Sequence, residues 1–583
     1  MSVASRTEEI DLLVAGAGPA GMAAALTAAS EGLNVLICEK SAYVGGTAST
    51  SAGTLWIPGN RQSTEAGYPD NIADARTYLD RLIGANARQS VREVYLNTGQ
   101  EAIDYLQKHG GLRFVPCGEH PDYQSALPGA AISGRAVVPA PFDGRALGKN
   151  FERVRPPIQE FMIFGGMMVG KADIPHLLGA LKRPSHFIQA ARLLARYAMD
   201  RLSFSRGTRL VMGNSLVAQL YQGLLTQGIP IAFETQVLEL LKEGARVVGA
   251  IIETREGSLE IRARKGVVLA TGGFARNDRL RAMLMPPKQP IYSMSIDTNS
   301  GDGVALGNEA GGAIQQGKHD TGGLWTPVSI VHRKDGTKGL YPHLSLDRAK
   351  PGLIAVDGTG ARFVNEAVSY HDFVLAMLAE QGSQRMPTYL ICDDYFVRRY
   401  GLGAILPGLR PGTVRDINEY AKIRLSIADL AHAIGIEPAR LQSTIERYNK
   451  AVAIGIDDEF NKGGTRFERF NGDASQAPNP CMGPIKTAPF YAVEVWPAEI
   501  ACSSGLSTDE DGRVLNDAGI AIEGLYACGN DMASPFDGTY PGPGTTLGPA
   551  FVFAYRAARH ATLARGTGSN DRIAEAPARE TNS

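Results

Sequence analysis

The stretch IDLLVAGAGPAG at Ile10–Gly21 predicts how this chain folds. Its first six residues are mainly apolar, which is typical of a short buried strand, and the glycine pattern GxGxxG follows at once. A helix of small residues over Met22–Ser30 and a second strand over Asn34–Cys38 come next, and Glu39 ends that strand. Strand, glycine turn, helix, strand and acid in this order predict a Rossmann-like, dinucleotide-binding unit of an α/β fold.

The glycine turn is expected to hold a diphosphate. Gly16 permits the tight turn, Gly18 lets a phosphate approach the main chain, and Gly21 lets helix and strand pack closely. We expect Glu39 to bind ribose hydroxyl groups, with Lys40 beside it. The residues of the turn predicted to contact the cofactor are Gly16, Gly18, Pro19, Ala20 and Gly21.

Later segments are predicted to complete the same cofactor site. They are a Gly/Ser/Thr run after residue 44, the strand-like stretch Ile229–Leu241, and two buried-type strands that end in glycines near residues 272 and 529. Such runs place main-chain and hydroxyl donors along a bound nucleotide. The predicted contacts are Gly45, Gly46, Thr47, Ser51, Ala52, Gly53, Val237, Ala270, Thr271, Gly272, Gly529 and Asn530.

A second informative stretch, GTYPGPGTTLGPA at Gly538–Ala550, is a Gly/Pro-rich loop that leads into a helix over Phe551–Ala561. A loop of this kind presents free main-chain N–H groups and the positive end of a helix dipole to a bound group. Because the chain opens with a dinucleotide unit, we expect the electron-rich end of a flavin here, contacted by Thr546 and Leu547. Tyr540 would then lie beside the flavin as a phenol available for chemistry.

The composition indicates a globular chain of at least two domains. Among 583 residues, 59 Lys and Arg balance 60 Asp and Glu, so the net charge gives no reason to expect nucleic acid as a partner. Six cysteines without a close pair argue against a zinc site or a CxxC redox centre, and we predict no metal. We find no leader and no apolar run of membrane-spanning length, and therefore expect a cytoplasmic protein.

We divide the chain into two domains. Residues 1–285 and 489–566 are assigned to the cofactor-binding domain, with an insertion near 147–209. Residues 286–488 are assigned to an inserted α+β substrate-binding and catalytic domain, and residues 567–583 to a disordered tail. Since the sequence has no second GxGxxG unit, a separate nicotinamide-binding domain is not expected.

The segment 171–209 is basic and amphipathic. It carries eight Lys and Arg against two Asp, interleaved with large apolar residues. A helix of this composition can lie on a membrane surface or pack on its own protein. Both interpretations stay open, and a peripheral membrane contact through 171–209 is one of them.

These motifs together resemble the fumarate reductase/succinate dehydrogenase-type flavoprotein superfamily, whose cofactor domain is of the glutathione-reductase type. Three stretches resemble its 3-ketosteroid dehydrogenase branch, chiefly the Δ1-dehydrogenases: Tyr540–Gly544 (YPGPG), Trp56–Asn60 (WIPGN) and Arg362–Tyr370 (RFVNEAVSY). The likeness covers nearly the whole chain except about Leu147–Arg209. The resemblance implies FAD as cofactor and a small apolar ketone, a steroid, as substrate. It also implies an external electron acceptor such as a quinone.

Two departures from the superfamily pattern narrow the expectation. The terminal loop reads Thr545–Pro549 (TTLGP) where fumarate reductases carry an Arg, and Glu499–Gly505 offers no His clamp, so a dicarboxylate substrate is not expected. No His stands near Gly46 at the position of covalent attachment in the respiratory enzymes, so we expect non-covalent FAD.

By resemblance, Tyr370 is the base that removes a proton next to the ketone, and Tyr540 O–H with Gly544 N–H holds the ketone oxygen. Tyr123 matches a second phenol that hydrogen-bonds the base. A ketone α-proton is roughly ten pK units less acidic than a phenol, a gap of about 13 kcal/mol. Two donors at about 3 kcal/mol each close roughly half of it. We expect the rest from a lowered pKa of Tyr370 and from departure of the hydride.

The leading interpretation is therefore a dehydrogenase that introduces a C1–C2 double bond into a 3-ketosteroid. A close alternative keeps the fold and changes the bond, as a Δ4(5α)-dehydrogenase or as a desaturase or ene-reductase of another cyclic ketone. An electron-transfer flavoprotein would not need aligned phenols such as Tyr370 and Tyr540. A flavin monooxygenase would need a site for a nicotinamide cofactor, and the sequence shows none.

Overall fold

The computed structural model describes residues 7–564 apart from 171–172, 181–182, 287–290, 318–320, 345–346, 380–385 and 409–411. The tail predicted to be disordered, residues 567–583, lies outside the described residues. Two large sheets organise the described chain, one of eight strands and one of seven.

The first sheet is the predicted nucleotide-binding sheet. Its parallel part runs Ile231–Phe233, Val35–Glu39, Thr7–Ala15, Gly257–Leu269 and Ala521–Ala527. The long strand Gly257–Leu269 also pairs antiparallel with Arg246–Thr254, which pairs in turn with Gln236–Glu243. Arg513–Leu515 pairs antiparallel with Ala521–Ala527. The predicted α/β fold class with a Rossmann-like sheet is confirmed.

Helices of small residues cover this sheet. Pro19–Ser30, which follows the glycine turn, is buried from Pro19 to Ala28 and packs against Met212–Gln227 and Leu547–Leu563. A Cβ at Gly21 would lie 2.0 Å from the Gly16 carbonyl oxygen, so only glycine lets this helix approach the turn. The close packing predicted for Gly21 is therefore the geometry observed.

The second sheet is built around the long strand Phe490–Cys502. This strand pairs with Gly323–His332 on one side and Thr388–Asp393 on the other. Lys338–Pro342 and Leu353–Val356 form the outer strands, and Tyr292–Ser293 and Lys422–Arg424 also pair with the central strand. The sequence suggested that the chain returns to the first domain at residue 489. Because Phe490–Cys502 pairs within the second sheet, the return comes after Cys502.

Further helices surround the two sheets. Around the first sheet they are Arg61–Glu65, Ile72–Ile83, Gln89–Gly110, Ile174–Leu178 and Pro184–Asp200. Asp302–Glu309 also packs against the first sheet, on Gln236–Glu243 and Gly257–Leu269. Around the second sheet the helices are Asp278–Leu284, Tyr370–Leu378, Asp394–Tyr400, Ile417–Tyr420, Ile427–Ala433, Pro438–Ile454 and Arg466–Asn471. A small three-stranded sheet, Leu55–Trp56, Ala136–Pro139 and Phe114–Pro116, packs in the core around the first sheet. The described part of the chain has no helix long and apolar enough to cross a bilayer.

The insertion near 147–209 packs on the first domain through Leu147, Phe151, Val154 and Met168, which belong to the core of the first sheet. It contains a 3₁₀ segment, Gly144–Arg153, a short hairpin of Met162–Ile163 with Met167–Met168, and the helix Pro184–Asp200. Only Ala190 and Asp200 of that helix are buried. The amphipathic helix predicted here is present, and it leaves most of its apolar side chains in contact with solvent.

A buried ionic cluster lies just before the helix Tyr370–Leu378. Glu366 contacts Arg362 at 2.9 Å and Lys462 at 3.1 Å, and Arg362 also contacts Asp457 at 2.8 Å. All four side chains are at most 1 % exposed. Burial opposes ionisation of Glu366, but the charges of Arg362 and Lys462 hold its pKa at about 2.

Replacing Glu366 with Gln should lower the free energy of unfolding by about 3 kcal/mol, because it leaves two buried cations undercompensated. The matched control is Glu65→Gln, which breaks the exposed pair Arg61–Glu65 and should cost less than about 1 kcal/mol. Urea denaturation followed by tryptophan fluorescence measures both. Because the folded pKa is lowered, the difference is fully present above the ordinary value of 4.5 and declines as pH falls toward 2. Equal losses in the two variants would contradict this role for Glu366.

Candidate active site

A deep cavity lies at the carboxyl ends of the parallel strands of the first sheet. Most residues predicted from the sequence to bind the cofactor line it: Gly16, Gly18, Pro19, Ala20, Glu39, Lys40, Gly46, Thr47, Ser51, Val237, Ala270, Thr271, Gly272, Gly529, Asn530, Thr546 and Leu547. Segments hundreds of residues apart meet here, because parallel strands end at one edge of the sheet.

Four of the predicted residues do not line the cavity. Gly21, Gly45 and Gly53 are packing positions, where an added Cβ would lie within 3 Å of Gly16, of Ser49 and Val217, and of Met212 and Gly213. Ala52 is exposed. At these positions glycine or a small residue serves the local turn and not the cavity wall.

Sequence reasoning missed several lining residues. Thr298, Asn299 and Asp302 come from the loop and helix start after residue 296, and Thr235 and Gln236 precede Val237. Asn299 Nδ2 donates to Thr47 Oγ1 at 3.0 Å and to the Gly272 carbonyl at 3.1 Å, which ties the loop to two predicted segments. No glycine motif marks this loop, so the sequence offered no signal for it.

Glu39 is held in place by main-chain donors. Its two carboxylate oxygens accept from Ala17 N–H at 2.8 Å and Ser41 N–H at 2.9 Å, and the side chain is 8 % exposed. Beside it, Lys40 Nζ donates to Asp302 at 2.8 Å. Because each carboxylate oxygen has a second lone pair, Glu39 can still accept from ligand hydroxyls in the cavity.

A second buried carboxylate supports the opposite wall. Asp531 accepts from Gly273 N–H at 2.8 Å and from Thr271 N–H and Oγ1, and burial raises its pKa to about 6. These bonds fix the glycine turn after Gly257–Leu269 against Gly529–Asp531. Asp531 therefore positions two strand ends that line the cavity.

The cavity has the features that FAD requires. A Cβ on Gly18 would meet no atom within 4 Å, so this main chain faces open space beside the N-terminus of the helix Pro19–Ser30, where a diphosphate would lie. Glu39 stands where ribose hydroxyls would need an acceptor. Thr546 and Leu547 line the other end, at the start of the helix Leu547–Leu563.

Three buried phenols form a cluster that adjoins the cavity through Ala501. The hydroxyls of Tyr123 and Tyr370 are 2.9 Å apart, and those of Tyr370 and Tyr540 are also hydrogen-bonded. The three ring centroids lie 5.2 to 5.5 Å from one another. Each tyrosine is at most 8 % exposed. The structure thus brings together all three phenols singled out in the sequence.

The pKa values of these phenols differ from the sequence-based expectation. Burial raises the pKa of Tyr123, Tyr370 and Tyr540 well above 10. The lowered pKa expected for Tyr370 is wrong for the protein alone, since desolvation and the Tyr123 phenol outweigh the opposing effects of Tyr540 and Arg348. The cluster is therefore neutral at physiological pH before a substrate enters.

Main-chain packing sets the position of the terminal loop. The Pro541 carbonyl accepts from Tyr123 N–H at 3.0 Å and from the Tyr78 hydroxyl at 2.7 Å. Gly544 has a φ of 97°, and a Cβ there would lie 2.6 Å from Trp56 N. Gly544 is thus required by a left-handed turn packed against the strand Leu55–Trp56, which holds the loop carrying Tyr540 beside the cavity.

His371 joins the same loop to the second sheet. Its Nδ1 accepts from Trp325 N–H at 3.2 Å, and its other side bonds the main chain of Gly538. Burial lowers its pKa to about 3, so it is neutral. With both ring nitrogens engaged, His371 positions the loop and is not available as a proton carrier.

Comparison with known proteins agrees with this geometry. Residues 11–547 match the family model FAD_binding_2, described as an FAD binding domain. The chain is 34 % identical to 4-oxocyclohex-2-ene-1-carboxylate 5-dehydrogenase of Sinomonas cyclohexanicum, over 98 % of this chain and 97 % of that protein. It is 34 % identical to 3-oxosteroid 1-dehydrogenase of Mycolicibacterium smegmatis, over 94 % of this chain and 97 % of that one.

A solved structure is similar throughout. The 3-ketosteroid delta1-dehydrogenase of Sterolibacterium denitrificans, in complex with 1,4-androstadiene-3,17-dione, superposes with a TM-score of 0.88 at 34 % identity, covering 95 % of this chain and all of that one. These matches agree with the cavity and the phenol cluster, and the chain belongs to the family of FAD-dependent oxidoreductases that includes the 3-oxosteroid 1-dehydrogenases.

Proposed function

We propose that this protein introduces a C1–C2 double bond into a 3-ketosteroid, with FAD held in the cavity at the strand ends. The observation that carries the proposal is the cluster of three buried phenols directly beside that cavity. FAD bound there would supply the acceptor for the hydride. The residues of this chain then have to hold the ketone and take the proton.

Tyr540 and Gly544 hold the ketone oxygen in this proposal. In the protein alone, the Tyr540 hydroxyl is bonded to Tyr370. A ketone oxygen that enters the cluster can replace Tyr370 as the acceptor of the Tyr540 hydrogen bond. Tyr370 is then free to face the α-carbon. A donor of this kind in a water-poor site contributes about 3 kcal/mol to stabilising developing enolate charge.

Tyr370 removes the proton, supported by Tyr123. The 2.9 Å contact between their hydroxyls lets Tyr123 donate to Tyr370 as the latter becomes a phenolate. Because the pKa of Tyr370 is raised, very little of this residue is phenolate at physiological pH before substrate binds. Proton removal therefore depends on the substrate and on nearby positive charge to favour the phenolate.

The chemistry of the cluster favours an uncharged polycyclic ketone. Besides the three phenols, its described members are Leu324, Phe467 and Ala501, with Leu344 and Ile500 packed against them. A steroid would bury its apolar rings against these side chains.

Non-covalent binding of FAD is part of the proposal. The residues that line the described cavity include no His or Tyr, and the one thiol, Cys38, has its pKa raised to about 12 by burial. A thiol with such a pKa is not a nucleophile at physiological pH. The main-chain donors, Glu39 and the helix N-terminus suffice to hold the cofactor.

We further propose that the helix Pro184–Asp200 contacts an anionic lipid surface, near which a quinone could accept the electrons. Phe187, Leu194 and Met199 are 56, 40 and 61 % exposed. Arg183, Arg192 and Arg201 are exposed on the same helix and at its ends, whereas its only acid, Asp200, is buried. Apolar exposure flanked by arginines matches the requirements of a lipid interface.

The wild-type enzyme should dehydrogenate androst-4-ene-3,17-dione with an artificial electron acceptor, and NMR of the product should place the new double bond at C1–C2. Tyr370→Phe should reduce flavin bleaching by the steroid at least about 10²-fold while substrate binding is retained. Tyr540→Phe should lower kcat about 10²–10³-fold. Tyr221→Phe, a buried tyrosine of the helix Met212–Gln227, is the control.

Rapid flavin bleaching by the steroid in the Tyr370→Phe variant would mean that a residue other than Tyr370 is the base. Turnover of 4-oxocyclohex-2-ene-1-carboxylate in preference to the steroid would refute the substrate class, and a double bond at C4–C5 would select the Δ4(5α) alternative.

Acid precipitation should release the flavin into the supernatant, and Glu39→Ala should raise the Kd for FAD about tenfold through loss of the ribose acceptor. Glu256→Ala changes an exposed acid in the turn after Arg246–Thr254 and should leave the Kd unchanged. Fluorescence titration of the apoprotein measures both constants. Flavin retained on the precipitate, or equal Kd values, would contradict these assignments.

The protein should cosediment with vesicles of phosphatidylcholine and phosphatidylserine at low salt, and less so at high salt, because charge attracts the arginines. The double change Phe187→Ser with Leu194→Ser should abolish the binding. Leu425→Ser with Ile520→Ser, which alters residues 78 and 64 % exposed elsewhere, should not. Binding that survives the first pair would exclude this helix as the contact.

A further inference from the structure

Arg348 is a fully buried cation close to the phenol cluster. Arg348 is 1 % exposed. All five of its guanidinium N–H donors are used on main-chain carbonyls. The acceptors are His343 at 2.8 Å, Glu366 at 2.8 Å, Val368 at 3.3 Å and Leu344.

The charge of Arg348 is not neutralised by direct contact with a carboxylate among the residues that the structure describes. Three carboxylates lie near enough to act on it, Asp347, Glu366 and Asp372, but each is bonded to other groups. Their partners are His343 for Asp347, Arg362 and Lys462 for Glu366, and Ser369 and Gln124 for Asp372. The guanidinium therefore retains a field that reaches its other neighbours.

The bonds of Arg348 fix the start of the helix that carries Tyr370. The carbonyls of Glu366 and Val368 lie just before this helix, and Tyr370 is its first residue. The guanidinium also lies over the Phe373 ring, 4.7 Å from its centroid, one turn into the helix. The planar fork of arginine is suited to bridging several carbonyls at once, which a lysine ammonium cannot reproduce.

The charge of Arg348 lowers the pKa of Tyr370, which is the direction that a base requires. Burial and the Tyr123 phenol raise the pKa of Tyr370, whereas Tyr540 and Arg348 lower it. On its own helix, His371 is neutral, and burial raises the pKa of Asp372. Arg348 is thus the full positive charge that opposes desolvation of Tyr370, and burial lowers its own pKa only to about 10, so it stays protonated at physiological pH.

We propose that Arg348 is a positioning residue for Tyr370: its buried charge stabilises the phenolate, and its carbonyl bonds hold the helix start that aims this phenol. The inference rests on the proposed role of Tyr370 as the base. It assigns a function to a segment, near residue 348, that no motif in the sequence marks.

The test titrates Tyr370 without any substrate. A fluorinated tyrosine, whose phenol titrates at accessible pH, is installed at position 370 of the FAD-bound enzyme and followed by ¹⁹F NMR. Arg348→Met should raise its pKa by at least about one pH unit, a tenfold loss of phenolate at a given pH. Arg348→Lys, which keeps the charge, should recover most of the shift. Arg348→Gln, neutral and with two N–H donors for part of the same carbonyl set, replaces the Met variant if that one does not fold.

The matched control is Arg206→Met. Arg206 is also buried, donates to the Val154 carbonyl at 3.1 Å and lies over the Phe151 ring at 4.6 Å, but it belongs to the insertion. Its removal should leave the titration unchanged. An unchanged pKa in both neutral Arg348 variants, or a rise in Arg348→Lys equal to that in Arg348→Met, would overturn the charge role.

A second readout separates this inference from the proposed function. In the natural-tyrosine background, the rate of flavin bleaching by androst-4-ene-3,17-dione should shift to higher pH in Arg348→Met, because less phenolate is present at each pH. If the wild-type enzyme is not bleached by the steroid, the proposed function fails, and the ¹⁹F titration still decides the effect of Arg348. If bleaching occurs and its pH profile is the same in Arg348→Met, the role of Arg348 fails alone.

Discussion

Parallel pairing of Thr7–Ala15 with Val35–Glu39 and Gly257–Leu269 is the constraint on which the rest of this structure depends. It places the ends of strands that are more than 200 residues apart in the chain at one edge of one sheet. The glycine turn, Glu39, the turn after Leu269 and the segment after Ala527 meet there. Every later feature of the site is positioned relative to that edge.

The active site then joins two sheets through a few main-chain contacts. Ile500 and Ala501, on the central strand of the second sheet, line the cavity of the first. The terminal loop is fixed by Gly544 against Leu55–Trp56 and by His371 against Trp325. Since these contacts involve main-chain atoms and buried rings, the loop can hold Tyr540 beside the cavity with little freedom.

Desolvation of the phenol cluster has two opposing effects on the proposed chemistry. Burial raises the pKa of all three phenols, which disfavours a base but strengthens each hydrogen bond to a developing oxyanion. A buried cation bonded to carbonyls alone, Arg348, offsets part of that cost at Tyr370. Positive charge held by neutral acceptors acts on a neighbour more strongly than charge already paired with a carboxylate.

The sequence by itself determined the α/β fold, the cofactor edge and the place of Tyr540, because glycine turns, strand ends and a Gly/Pro loop leave local patterns that pair with known chemistry. Tyr370 and Tyr123 were singled out by the resemblance to a known family and not by such a pattern. Only the tertiary structure decided that Gly45 and Gly53 serve packing, that Phe490–Cys502 belongs to the second sheet, and that Tyr370 has a raised pKa. It also brought Asn299 and Arg348 to the site. Burial, strand partners and the electrostatic field at a side chain depend on residues distant in the chain, and no local pattern records them.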